Sequence, residues 1–351
     1  MRRRKGPTTV FALALTVLLS ACTSTATSSD IDGDVLVVEG YGAEYAEIFN
    51  EVIAEPFKSE TGITVEYQGS GSATQRYAKI LASRGDPDFD LTILTDVELY
   101  QGKSDELLAP VTEEDVPNLD KQPQKLREAA HGFGAIQDVQ YVSLMFNKKL
   151  FSSPPRSWKV LSEPKYRNGA LIFNPSGMLG VHQILLSADM AGGGINDTQP
   201  GFTQLAKLAS YAAGTPGTSA EAVPFMERGE ATVFPYLDGR AAIYSKTTDY
   251  DFTLPKEGSY GLLGALGMPA ESPNKEAGYK LMNFWLRPDI QKQWAESYNV
   301  GPAISGIEFS PEFTEKHIVT PESLERIKIA DPGTVQENRT DWSKQWSESV
   351  R

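Results

Sequence analysis

The side chains best placed for chemistry follow short apolar runs, and their types suit holding a solute better than breaking a bond. Tyr236 and Asp238 end the run ATVFPYL (231–237). An aromatic face attracts an ammonium and a carboxylate neutralises it, so this pair suits a cation. A surface turn at Asp238-Gly239 is the alternative. Gly69-Ser70-Gly71-Ser72 and Asn174-Pro175-Ser176-Gly177 suit an anion instead. Each precedes a helical pattern, where free backbone N–H groups and the hydroxyls of Ser70 and Ser176 can cradle an oxyanion. Glycine and serine also simply cap helices. Tyr41, within Gly40-Tyr41-Gly42, and the pair Thr95 and Asp96 stand at the same kind of place. A tight turn for Tyr41 and a helix cap for Asp96 are the plainer roles.

Catalytic signatures are missing. The chain has no G-x-S-x-G elbow, H-E-x-x-H helix or G-x-x-x-x-G-K loop. His131, His182 and His317 are far apart with no ligand spacing, which points to surface or core roles. Asp86, Asp88 and Asp90 alternate like a calcium loop, but Leu91 stands where the loop needs glycine and Val97 where it needs glutamate. The expectation is a protein that is not an enzyme and uses no cofactor and no metal.

The elements that must position these residues alternate strand and helix. VLVVE (35–39) reads as a buried strand, and Tyr45, Ile48, Phe49, Val52 and Ile53 then recur at helical spacing up to Thr61-Gly62. ITVEY (63–67) is a second strand, Ser72 can cap a helix carrying Tyr77, Ile80 and Leu81, and DLTIL (90–94) is a third strand. That βαβαβ order predicts a parallel sheet with helices on its faces. GALIF (169–173) and ATVFPYL predict a second lobe of the same kind. Ala277, Leu281, Phe284 and Trp285 mark a helix stopped at Arg287-Pro288-Asp289, where another carrying Ile290 and Trp294 begins. Ligands of doubly wound sheets sit beyond the carboxyl ends of the strands, where the candidate residues fall.

The N-terminus reads as a leader. Arg2, Arg3, Arg4 and Lys5 precede the apolar run Val10–Leu19, too short for a permanent span, and Ser20-Ala21-Cys22. Leu19-Ser20-Ala21-Cys22 resembles the bacterial lipobox, which implies a lipid anchor on Cys22, the single cysteine. With no second cysteine there is no internal disulfide. TSTATSSDIDG (23–33) reads as a flexible tether. Loss of residues 1–21 removes four of 33 basic groups and none of 46 acidic ones, taking the formal charge from −13 to −17. Such acidity disfavours nucleic acid as a partner. The roughly 320 residues that remain exceed one hydrophobic core and predict two lobes.

Three segments together resemble a known family. EPFKSETGITVEYQGSGSATQRYAKILASRGDPDFDLTIL, PPRSWKVLSEPKYRNGALIFNPSG, and LPKEG with NKEAGYKLMNFWLRPDIQKQWAE and Gly301-Pro302 are similar, in order and spacing, to type 2 periplasmic-binding proteins. The nearest branch includes the spermidine and putrescine binders. The resemblance implies an α/β fold of two lobes, each a mixed, mainly parallel sheet flanked by helices, joined by two crossover strands with the ligand cleft between them. It divides the chain into a lipoprotein signal peptide (1–21), a tether (22–33), lobe I (34–137 with 259–300) and lobe II (138–258 with 301–351). It implies a monomer that captures a small polar solute and hands it to the permease of an ABC importer. Tyr41 would stack on the solute, with Thr95 and Asp96 meeting it from lobe I and Tyr236 and Asp238 from lobe II. A polyamine-like organic cation is favoured, with a small anion such as a phosphonate or carboxylate, or a sensor or hydrolase on the same fold, as alternatives. One departure stands out: polyamine binders carry an aromatic and an aspartate where this chain has Leu262 and Gly264. Iron binders use adjacent tyrosines, and no Tyr-Tyr pair occurs.

Overall fold

The computed structural model describes residues 35–42, 44–84 and 88–350. The expected leader, Cys22 and the tether lie outside the described residues, as does Asp86. Strand β1 (Val35–Tyr41) runs parallel to β2 (Thr64–Ser70) and to β3 (Leu91–Thr95). Asp90 fixes the start of β3: its carboxylate accepts the N–H of Val37 at 2.8 Å and bonds from Ser272 and Asn274 at 3.0 Å. The helical run after β1 is not uniform. It widens into a π turn over Asn50–Ala54 before resuming as Glu55–Thr61. Pro56 has no N–H to give the turn behind it, and the N–H of Glu55 reaches back to Asn50 instead. Gly62, at φ 78°, closes the run in the left-handed conformation glycine tolerates.

Two long strands then carry the chain between cores. Strand β4 (Ala135–Asn147) pairs antiparallel with β5 (Val233–Leu237), β6 (Tyr250–Thr253) and β7 (Ser259–Gly267). The sheet path is β2-β1-β3-β7-β4-β5. Short β8 (Gly301–Pro302) and β9 (Ile327–Lys328) attach to β4 and β7. Ala135, Ile136, Val139 and Tyr141 of β4 belong to a first hydrophobic core, while Val142, Leu144 and Phe146 belong to a second. β7 changes sides likewise, with Tyr260 in the second core and Leu263, Ala265 and Leu266 in the first. β4 is buried at nearly every position, polar ones included, as a strand covered on both faces must be.

The second lobe departs from expectation in two ways. GALIF forms only isolated bridges, Ala170 to Val233 and Leu171 to Gly214, because the chain beside it at 213–216 is irregular. The ladders β4 makes with β5 and β6 are antiparallel. Pro235 is accommodated in β5 because β5 ends the sheet path. Ile304, Ile318, Leu324 and Ile327 pack into the first core and only Ala330 onward joins the second, although the sequence reading gives 301–351 to lobe II. No helix among the described residues is long and apolar enough to cross a membrane.

Candidate functional site

Where β4 and β7 change cores, a cleft of about 330 Å³ opens between the two sets of helices. The first core contributes Tyr41 from the end of β1, Glu44 and Tyr45 from the helix Glu44–Phe49, and Tyr298 from the last turn of the helix Pro288–Tyr298. Leu237, Gly239, Arg240 and Ile243 face them from the end of β5 and the helix Asp238–Thr247. Gln140 and Leu262, paired across the β4–β7 ladder, form the floor.

The aromatic wall is built edge to face. Tyr45 lies 5.4 Å from Tyr41, 4.9 Å from Tyr298 and 5.0 Å from Trp294, ring centre to ring centre, at 65–80°. These neighbours bury Tyr45 and leave Tyr41 and Tyr298 half-buried at the cleft, where an aromatic face attracts a cation. Gln137 donates to the Tyr45 hydroxyl at 2.8 Å, fixing that ring from below. The fully buried guanidinium of Arg76 lies 4.1 Å over the Tyr41 ring. It is held by the carbonyls of Ile93 and Gly71, both at 2.7 Å. The chain beside Arg240 leaves its guanidinium free: no ion pair or hydrogen bond joins it among the described residues.

Of the residues singled out in the sequence, Tyr41 lines this cleft. The others lie outside its lining. Ser70 ends β2, and the loop behind it is closed by a capping box in which Ser72 and Gln75 satisfy each other's N–H groups, so the expected anion cradle is filled by the chain itself. Thr95 caps the helix Asp96–Ser104 together with Glu98, and Asp96 is its first residue, buried. Ser176 is exposed away from the cleft, its N–H given to Asn174 and its carbonyl 3.4 Å from Arg339. Tyr236 is 1% exposed and points into the second core, donating its hydroxyl to the Ser219 carbonyl. Asp238 is fully buried: it accepts the Tyr141 N–H at 3.0 Å and lies 3.2 Å from Nδ1 of His317. At this point the cleft is lined by Leu237, Gly239 and Arg240 in place of Tyr236 and Asp238, because the strand ends at Leu237 and alternate residues face the core.

Burial sets the charge state of these carboxylates. Desolvation raises the pKa of Asp96 to about 7, with the charge of Glu98 adding to it and backbone N–H groups of Asp96, Val97 and Leu263 opposing. A carboxyl group whose pKa is higher folded than unfolded favours the fold while protonated, and that contribution disappears as pH rises through 7. Asp96→Asn should therefore flatten stability against pH. Urea unfolding of the wild type is expected to lose about 2–3 kcal/mol between pH 5 and pH 8 relative to the variant. Equal slopes would show that Asp96 is ionised throughout.

Tyr45, Tyr298, Gln140, Glu44, Arg240 and Ile243 were not legible as site residues. Tyr45 shares helical spacing with Ile48 and Phe49 and reads as core. Tyr298, four residues after Trp294, carried a usable signal: an aromatic pair at i and i+4 on the final turn of a helix. Among the described residues no group of acidic or histidine side chains is arranged to hold a metal ion.

Comparison with known proteins agrees with this architecture. The family model for bacterial extracellular solute-binding proteins matches residues 52–321. The spermidine/putrescine-binding periplasmic protein of Salmonella typhimurium is 26% identical over 275 residues, 76% of each chain. A second protein of that organism, provisionally named as a 2-aminoethylphosphonate-binding periplasmic protein, is 24% identical over 254 residues, 70% of this chain and 71% of its own. Among solved structures, a spermidine/putrescine ABC transporter substrate-binding protein from Streptococcus pneumoniae superposes with a TM-score of 0.77 at 18% identity, covering 91% of this chain and all of that one. Two cores joined by crossover strands with a cleft between them are the architecture of that family, and the chain belongs to the bacterial extracellular solute-binding proteins.

Proposed function

We propose that this protein is the capture subunit of an ABC importer, lipid-anchored through Cys22, that holds an ammonium-bearing solute between its two lobes and passes it to a permease. The observation that carries the ligand class is the wall of Tyr41, Tyr45 and Tyr298 in the inter-core cleft. Phenol rings offer faces to a cation, and the Arg76 guanidinium already lies over one of them, Tyr41, as a fixed positive charge beside the wall. Relatives named for spermidine and putrescine agree with an organic cation. Capture needs no bond-making group: the solute biases an equilibrium between open and closed lobes, and the closed form is the one a permease reads.

A second reading has its own observation. Arg240 stands free on the wall opposite the tyrosines, and a guanidinium matches phosphonate and carboxylate oxygens. A solute with an ammonium at one end and an acid at the other would use both walls, in line with the relative provisionally named for 2-aminoethylphosphonate.

Thermal-shift measurements against putrescine, spermidine, 2-aminoethylphosphonate, γ-aminobutyrate and phosphate test both readings. A ligand at a hundred times its dissociation constant adds about 2.7 kcal/mol and raises the midpoint by several degrees. The cation reading predicts shifts with the diamines that survive Arg240→Ala. The two-ended reading predicts shifts with the zwitterions that Arg240→Ala abolishes. A shift with phosphate and with no amine would remove the ammonium assignment.

A further inference from the structure

A cation taken from water into the cleft needs a counter-charge to offset its desolvation. Gln140 and Leu262 pair across the ladder and form the cleft floor, and the next rung on the same face is Asp138 opposite Gly264. Asp138 is 1% exposed. One carboxylate oxygen accepts the Trp294 indole N–H at 3.3 Å, and the other, Oδ1, has no hydrogen-bond partner among the described residues. Gly264 is what makes room for it. A Cβ there would stand 2.6 Å from Oδ1, so any other residue would push the carboxylate aside.

We propose that Asp138, delivered from β4 into the space left by Gly264, is the fixed counter-charge that selects a cationic head for the cleft over neutral and anionic solutes. This inference rests on the ammonium reading above and names the residue responsible for it. Asp138 is a positioning residue: the Trp294 indole contacts it, and Tyr45 and Tyr298 lie within reach of its charge. Glu44, the carboxylate on the cleft rim, is exposed and screened by water, whereas a buried charge keeps its reach.

The groups facing Asp138 agree with a vacant electrostatic role. They are Tyr41 from β1, Tyr45 from the helix Glu44–Phe49, Trp294 and Tyr298 from the helix Pro288–Tyr298, Gln137 and Gln140 on β4, and Asp238 from the second lobe. No lysine or arginine is among them, although Arg76 of the helix Ala73–Ala82 lies over the Tyr41 ring. Burial raises the Asp138 pKa to about 6, while the Trp294 indole and the nearby Gln140 and Gln137 amides oppose it and the charge of Asp238 adds to it. A bound ammonium would favour the ionised form, so affinity for a cation should fall as pH drops from 7.5 to 5.

Calorimetric titration with putrescine and with 2-aminoethylphosphonate tests this on the wild type, Asp138→Asn, and the double variant Asp138→Gly with Gly264→Asp. Asn keeps the volume and an acceptor for Trp294 and removes the charge. Asp138→Asn is expected to bind whichever amine the wild type binds at least tenfold more weakly and to lose the pH dependence, while its urea midpoint at pH 7.5 does not fall below that of the wild type. The double variant, which moves the carboxylate across the rung, is expected to recover affinity. If the wild type binds an amine and Asp138→Asn binds it equally well with the same pH profile, the role of Asp138 is refuted and the ammonium reading stands. If the wild type binds neither amine, the ammonium reading fails and this inference with it.

Discussion

Tyr298→Ala is expected to weaken binding of the ammonium solute by ten- to a hundredfold, and Tyr298→Phe by less than threefold. Tyr298 is the residue of the last turn of its helix that reaches the cleft, and its ring closes the wall begun by Tyr45 at 4.9 Å. A desolvated cation over an aromatic face gains about 1–2 kcal/mol, which alanine forfeits along with the apolar area of the ring. Phenylalanine keeps the ring and its face, losing only a hydroxyl. Titration calorimetry on the three proteins checks it. If Phe is as damaging as Ala, the hydroxyl does the holding, and the solute is bound by hydrogen bonding instead of by ring faces. The effect should fall on dissociation, since the wall acts after encounter.

The largest effect on stability is expected at Trp294. It is fully buried, lies 4.8 Å from Trp285, 5.0 Å from Tyr45 and 5.3 Å from Tyr298, and gives Asp138 its indole N–H. Trp294→Ala should cost about 3–5 kcal/mol in urea unfolding, from lost transfer energy plus an unfilled cavity. Trp294→Phe refills part of the space but leaves the Asp138 carboxylate without its indole donor, which adds a penalty of about 1–3 kcal/mol. Asp138→Asn in the Trp294→Phe background should relieve that penalty, because an uncharged amide is cheaper to bury alone than a carboxylate. Additive effects of the two substitutions would mean that the indole and carboxylate do not interact.

Much of this fold could be read from local pattern. The strands at 35, 64 and 91 and the helices ending at Thr61, Ala82 and Trp285 follow from period-2 and period-3.6 apolar spacing, with Gly62, Ser72 and Pro288 as punctuation. The parallel arrangement followed from their order. What escaped was register. That β4 would run 13 residues through two cores and face β7 antiparallel is set by contacts between positions more than a hundred residues apart. Asp138 and Gly264 meet only through that pairing.

The site was legible in its address but not in its occupants. Strand ends do border the cleft, and Tyr41 stands there as expected. At the end of β5 the side chains alternate, so the sequence pointed to Tyr236 and Asp238 while Leu237 and Arg240 face the opening. Asp238 looked like a ligand group because a carboxylate after a strand usually meets solvent or solute. Its partner, His317, is 79 residues away and gives the carboxylate a structural use instead. At the Gly69–Ser72 loop a capping box takes the N–H groups of Ser72 and Gln75, whereas the helix after Asn174–Gly177 carries no side-chain cap.

A crystal structure of the protein with the amine that gives the largest thermal shift tests the central claim most directly. Ligand density is expected in the inter-core cleft, with the ammonium among the rings of Tyr41, Tyr45 and Tyr298 and above the rung of Asp138 and Gly264. Density at the Ser70 loop or at the helix start beside Ser176, with the tyrosine wall empty, would contradict it.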